Sequence, residues 1–181
     1  MNDFIKENLK KELKNSSGNI LCIGLNEQDL LDIIDKNKNI IKCDILNNNS
    51  IKIGKDNSKG SSSKNVNIKN IKNIFKKKRV DKIICEFKHI EKYLKSFVKD
   101  SIYITKGNVL IYDNFTEKEL DKIMSLYNRY EIKNKIKNDK NNYIIEFEIK
   151  NKKTNKLKDF GYSIIDFWSE LYDIVTDLLI G

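Results

Sequence analysis

Apolar positions along the chain follow two spacings, which predict strands alternating with helices. Short, nearly continuous apolar runs are typical of strands buried on both faces of a parallel sheet. Such runs lie at residues 19–24, 39–46, 80–87 and 108–113. Apolar residues that recur every three or four positions predict amphipathic helices. This spacing occurs at residues 3–14, 26–34, 89–99 and 116–130. The pattern therefore predicts an α/β fold with a mostly parallel open sheet and helices on both faces.

The second half of the predicted sheet ends in a hairpin. Residues 131–137 and 142–150 are strand-like and flank a polar turn at 138–141. This hairpin should form the antiparallel edge of the sheet. The strand at 108–113 should be central, because its uninterrupted apolar run requires burial on both faces.

Residues 47–65 are the most polar part of the chain. They are rich in Asn, Ser and Lys, and only Ile51 and Ile53 are candidates for a short strand. Residues 55–64 contain no side chain that could anchor them in a core, so we expect them to be poorly ordered. A short strand or turn is predicted at residues 65–70, followed by a basic helix that ends at residues 76–79.

A last helix is predicted at residues 163–180, beyond an α/β domain that we place at residues 1–160. Phe167, Trp168 and Leu171 belong to its apolar stripe. Residues 161–181 carry a charge of −4, so the rest of the chain carries +13. The stripe either packs on the protein's own domain or forms a homodimer or docking surface for a protein partner.

Composition narrows the class of protein. The 181 residues have a net charge of +9 and no proline. They also contain no alanine, and Lys greatly outnumbers Arg. An AT-rich genome would impose this bias, so the Lys surplus is weaker evidence of nucleic-acid binding.

No apolar run reaches the roughly 18 residues of a membrane span, and no secretory signal is visible. Cys22, Cys43 and Cys85 lie in apolar runs without metal-ligand spacing, which predicts buried free thiols, no metal site and a cytoplasmic protein.

Several segments together resemble class I S-adenosylmethionine-dependent methyltransferases. Residues 13–24 resemble the entry to motif I of this family, and residues 80–85 are similar to its fourth strand. Residues 106–113 resemble the fifth strand, and the hairpin at 131–150 fits the antiparallel sixth and seventh strands. The resemblance implies a Rossmann-like fold and S-adenosylmethionine as the cofactor. Where the family has a helix between its second and third strands, the polar loop at 55–64 would replace it.

The resemblance assigns a cofactor site whose motif I is degenerate. The family pattern is acid-x-Gly-x-Gly-x-Gly, and Gly24 stands at the first glycine. Cys22 replaces the acid, while Asn26 and Gln28 replace the second and third glycines. Asp44 matches the acid that binds the ribose in the family, although a polar residue at a strand end is an equal reading. Gly24, Asn26 and Asp44 are thus the candidate cofactor-binding residues.

Glu86 and His89 are the candidate catalytic residues. They follow the fourth family strand, where open α/β sheets place their ligands. A surface or capping role for His89 is the alternative interpretation.

Three functions remain open from the sequence. The first is a methyltransferase-like domain without efficient methyl transfer that acts as a binding or interaction protein. The second is an active methyltransferase with a divergent motif I. The third is a basic protein that associates with RNA or DNA through the Lys-rich residues 76–79 and 133–140, which could equally be a solvated surface.

Overall fold

The structure, a computed structural model, describes part of the chain. The described residues are 1–14, 16, 18–25, 29, 33, 39–46, 50–55, 64–67, 71–72, 75 and 80–149, with only the backbone described at 39–46, 50–55 and 64–67. All of them belong to one compact unit, Met1–Lys150. No helix in this part of the chain is long and apolar enough to span a membrane.

The described residues form one sheet of eight strands. The strands are β1 (Asn19–Ile23), β2 (Asn39–Leu46), β3 (Ser50–Lys55), β4 (Lys64–Asn67), β5 (Val80–Glu86), β6 (Thr105–Asn114), β7 (Lys133–Asp139) and β8 (Asn142–Glu148). Their order across the sheet is β4-β3-β2-β1-β5-β6-β8-β7. The neighbours from β2 to β6 pair in parallel, and β3 and β8 run opposite to the other strands. The predicted fold class, a mostly parallel sheet with an antiparallel hairpin at its edge, is therefore confirmed.

The two edges of the sheet differ in how well the sequence predicted them. The hairpin of β7 and β8 forms one edge, and β6 lies inside the sheet between β5 and β8, as predicted. At the other edge, β3 and β4 form a second antiparallel ribbon on β2. The sequence predicted a short strand around Ile51 and Ile53 and a short strand or turn at residues 65–70, but not their pairing. A short connection suffices for an antiparallel neighbour, which is why this polar segment can extend the sheet without a crossover helix. Most of the predicted loop at 55–64 lies outside the described residues.

Three helices accompany the sheet in the described residues. They are α1 (Asp3–Lys14), α2 (Leu94–Ile104) and α3 (Glu117–Asn128). Thr116 and Glu119 form a capping box at the start of α3. Of the predicted helix at 26–34, Asp29 and Ile33 are described, and both are helical.

The predicted start of the helix at residue 89 is wrong. Two 3₁₀ turns, Phe87–His89 and Glu91–Tyr93, come before α2. The N–H of Ile90 donates to the carbonyl of Phe87 over 2.8 Å, and both side chains are buried. Residues three apart lie on the same side of a 3₁₀ turn, so this tighter geometry buries both. The consequence is that His89 lies in a turn directly after β5.

The helices cover both faces of the sheet. Ile5, Leu9 and Leu13 of α1 pack with Cys22 and Leu110 on one face. The other face packs against α2 and α3, with Phe97, Ile123 and Tyr127 among its buried side chains. Successive residues of a strand point to opposite faces, so a strand covered on both sides must be continuously apolar. Cys22 and Cys85 are buried free thiols, as predicted.

At the amino ends of the central strands, Asp81 links three strands. Its carboxylate accepts a hydrogen bond from the N–H of Asn19 over 2.7 Å and pairs with Lys106 Nζ at 2.8 Å. Two glycines make room for this residue. A Cβ on Gly18 would overlap the carboxylate of Asp81, and one on Gly107 would overlap its backbone oxygen. Asp81, the second residue of β5, therefore has a structural role.

Candidate functional site

The candidate site lies at the carboxyl ends of β1, β5 and β6, which are neighbours in the sheet. Gly24 directly follows β1, Glu86 is the last residue of β5, and Asp113 lies at the end of β6. Open α/β sheets bind their ligands at this end of the strands.

Glu86 contacts two side chains of the turn that follows it. Its Oε1 lies 2.6 Å from Lys88 Nζ, and its Oε2 lies 3.1 Å from His89 Nε2. Both Glu86 and His89 are partly buried, with side chains 19% and 25% exposed, so the contact is sheltered from bulk water. The polar atoms of the two candidate catalytic residues thus lie 3.1 Å apart.

Asp113 fixes the same turn from the neighbouring strand. Its Oδ2 accepts a hydrogen bond from the backbone N–H of Lys88 over 3.0 Å, and its Oδ1 accepts one from Asn114 over 2.8 Å. Neither Asp113 nor Lys88 was predicted to be a site residue. A signal was present for Asp113, because it ends a buried apolar run in the same way as Glu86.

Gly24 is covered by the imidazole of His89. Gly24 has a φ of +80°, a conformation that side chains disfavour. A Cβ at this position would overlap Cδ2 of His89 and would lie 2.7 Å from Nε2. The imidazole of His89 therefore fills the space that a glycine leaves open at this strand end.

Two side chains of the sheet beside this edge, Cys22 and Tyr112, carry no charge at neutral pH. Cys22 is fully buried, and burial raises the pKa of its thiol to about 12, so it stays protonated at neutral pH. Burial, together with the negative charge of Glu86, also raises the pKa of Tyr112, which pairs with Glu86 across β5 and β6. The position that the family pattern gives to an acid thus carries no charge here.

The other two candidate cofactor residues are described less fully. In the pairing of β1 with β2, Ile23 lies opposite Cys43. Asp44 follows Cys43 in β2, so its backbone is level with Gly24, the residue that follows β1. Its side chain lies outside the description, as does the whole of Asn26.

The Lys-rich hairpin is partly neutralised. Lys135 Nζ lies 2.8 Å from Glu148 Oε1, and Lys137 Nζ lies 2.8 Å from Glu12 Oε1. These pairs favour the solvated-surface interpretation of residues 133–140, while residues 76–79 lie outside the described part. Where side chains were described, no cluster of His, Cys, Asp or Glu that could hold a metal ion was found.

Comparisons with known proteins identify the fold. No protein-family model matches the chain, and no curated protein matches it. A crystal structure described as an S-adenosyl-L-methionine-dependent methyltransferase of Methanococcus maripaludis aligns with a TM-score of 0.56 at 11% identity, over 83% of this chain and 85% of that one. A methyltransferase of Pyrococcus furiosus aligns with a TM-score of 0.47 at 12% identity, over 83% and 84% of the two chains. TrmK of M. capricolum, in complex with S-adenosyl-homocysteine, has a TM-score of 0.47 at 18% identity, over 84% of this chain and 70% of that one.

The chain therefore has a Rossmann-like, methyltransferase-like fold. Two described positions differ from what the family pattern has for S-adenosylmethionine. The buried thiol of Cys22 supplies no negative charge, and His89 occupies the space over Gly24.

Proposed function

We propose that this protein is a methyltransferase-like domain without efficient methyl transfer, which acts as a binding or interaction protein. The observation that carries the proposal is the position of the His89 ring over Gly24, the one motif I glycine that the chain retains. Glycine at a strand end lets a ligand approach the backbone closely, and a side chain in that space removes the benefit.

The uncharged state of Cys22 supports the same proposal. In the family, the acid at this position orients the amino-acid end of the cofactor. A protonated, fully buried thiol makes no charge-assisted hydrogen bond there, so one anchor of the cofactor is missing.

Calorimetric titration tests this proposal. We expect neither S-adenosylmethionine nor S-adenosylhomocysteine to bind the folded protein with micromolar affinity, because His89 fills the space over Gly24 and the acidic anchor is absent. Unfolding measured with the same ligands provides an independent check. A ligand present at a hundred times its dissociation constant would raise the unfolding free energy by about 2.7 kcal/mol. Micromolar binding in either assay would overturn the proposal.

An active methyltransferase is the alternative, and the contact between Glu86 and His89 favours it. A carboxylate beside an imidazole at the ligand end of a sheet is an arrangement that can hold and move a proton. In that case the titration described above would show binding, and transfer to a substrate would then be measurable.

The proposed interaction surface is the predicted C-terminal helix, which lies outside the described residues. Its apolar stripe, with Phe167, Trp168 and Leu171, next to an acidic face is typical of a protein interface. Binding would occur in the reducing setting that the free thiols of Cys22 and Cys85 favour.

Deleting residues 157–181 tests this surface. We expect the shortened protein to remain folded by circular dichroism and to change from dimer to monomer by light scattering. Trp168→Ala in the full chain is the milder variant and should weaken the dimer in the same direction. Full-length protein that is monomeric at high concentration would contradict the homodimer, and unfolding on deletion would assign the helix to the core.

A further inference from the structure

We propose that His89 is a plug, defined here as a side chain of the protein that occupies a ligand cradle, and that its removal restores affinity for S-adenosyl compounds. The inference rests on the proposed function, since it explains why the cradle is closed. It goes further by assigning the closure to one removable side chain.

The plug lies over backbone that has the shape of an open cradle. Gly24 keeps a φ of +80°, which glycine adopts at no cost and other residues disfavour. Leu25, the next residue, is buried, so the backbone here is anchored rather than loose. A ligand that replaced the imidazole would therefore meet a cradle that is already formed at this point.

Few described contacts hold the plug in place. The polar contact described for the imidazole is the one with Glu86 Oε2 at 3.1 Å, and the same carboxylate also contacts Lys88 Nζ at 2.6 Å. The ring remains 25% exposed, so it lies at the surface of the site rather than in the core. Removing it should expose Gly24 while leaving the hydrophobic layers of the sheet intact.

Asp113 fixes the backbone of the turn that carries His89. Its hydrogen bond to the N–H of Lys88 ties the 3₁₀ turn to β6, while the imidazole extends toward β1. The turn is thus fixed at its backbone, and the side chain of His89 is the part that can be exchanged without moving the strands.

With a plug present, the apparent affinity for the ligand equals the intrinsic affinity multiplied by the fraction of molecules in which the plug is displaced. If the ring is displaced in about one molecule in ten or fewer, its removal should tighten binding by about tenfold or more. The expected effect is therefore on the dissociation constant of the ligand and not on the stability of the fold.

The test compares His89→Ala with Lys88→Ala in full-length protein, using S-adenosylhomocysteine as the probe in calorimetry. Lys88 is the matched control, because it is exposed, shares Glu86 with His89 and lies one residue away. We expect binding at least about tenfold tighter in His89→Ala than in the unaltered protein, and no gain in Lys88→Ala. Equal or absent binding in the unaltered protein and in His89→Ala would overturn the plug.

The outcomes separate this inference from the proposed function. Weak or no binding by the unaltered protein and a gain in His89→Ala supports both. No binding by either protein leaves the proposed function standing and contradicts the plug. Micromolar binding by the unaltered protein contradicts the proposed function, and a further tenfold gain in His89→Ala would still support the plug.

A second measurement does not depend on a variant that folds. His89 is the only histidine in the chain, so its ring protons give unambiguous resonances in nuclear magnetic resonance spectra. We expect nuclear Overhauser contacts between these protons and the α-protons of Gly24. Their absence would contradict the plug, even if His89→Ala proved too unstable to titrate.

Discussion

Replacing Gly24 with alanine should lower the free energy of unfolding by about 3 kcal/mol. A side chain in this left-handed conformation costs about 1–2 kcal/mol, and overpacking against the ring of His89 adds about 1–3 kcal/mol. Urea denaturation of Gly24→Ala measures the sum, provided that the slope of the transition is unchanged.

A double-mutant cycle separates the two causes. In a His89→Ala background the overlap disappears, so Gly24→Ala should cost only about 1–2 kcal/mol, the part due to the backbone. Gly18→Ala is the matched control, because it also has a positive φ but its Cβ would meet Asp81 at the opposite end of the strand. Gly18→Ala should lower the free energy of unfolding by the same amount with and without His89. A Gly24→Ala cost that does not depend on His89 would show that the ring does not lie where the structure has it.

Gly107→Ala should destabilise the protein by a similar amount, about 3 kcal/mol, for a different reason. Between two pairs of the β5–β6 ladder, Lys106 and Gly107 lie opposite Asp81 alone, which makes a bulge. The Cβ of an alanine at 107 would overlap the backbone oxygen of Asp81, and a backbone inside a sheet cannot turn aside as a side chain can.

Two controls make the prediction for Gly107 specific. Lys106→Ala lies in the same bulge but loses only an exposed ion pair, which should cost less than about 1 kcal/mol. Asp81→Ala removes the carboxylate that crowds Gly18, so it should relieve Gly18→Ala but leave the cost of Gly107→Ala unchanged. Relief of Gly107→Ala by Asp81→Ala would contradict the backbone contact.

The fold was largely predictable from local patterns. Continuous apolar runs such as Val109–Ile111 indicate burial on both faces, and helical spacing in α1 and α3 indicates which faces the helices bury. The predicted start of a helix at residue 116 agrees with the structure, where Thr116 is the N-cap of α3. These signals depend on residues that are close in sequence, which is why they can be interpreted without the structure.

The errors occurred where burial overrode the local pattern. The apolar spacing after β5 predicted a helix from residue 89, yet Phe87 and Ile90 are buried through a 3₁₀ turn, and α2 begins only at Leu94. The short strand around Ile51 and Ile53 and the strand or turn at residues 65–70 were predicted, but not the ribbon that they form. β3 pairs with β2 and β4 pairs with β3, and this pairing is not encoded in their mostly polar composition.

The amino-acid sequence established on its own the α/β class, the order of the central elements and the edge of the sheet at which Glu86 and His89 lie. The tertiary structure alone decides that the space over Gly24 is filled and that the turn after β5 is fixed, because both depend on contacts between residues distant in the chain. The contact of the His89 ring with the space over Gly24 links the ends of β5 and β1, and the hydrogen bond from the N–H of Lys88 to Asp113 links the turn to β6. Such contacts arise from strand order and register, which bring the ends of β1, β5 and β6 together, and no local periodicity encodes which side chain fills the space between them.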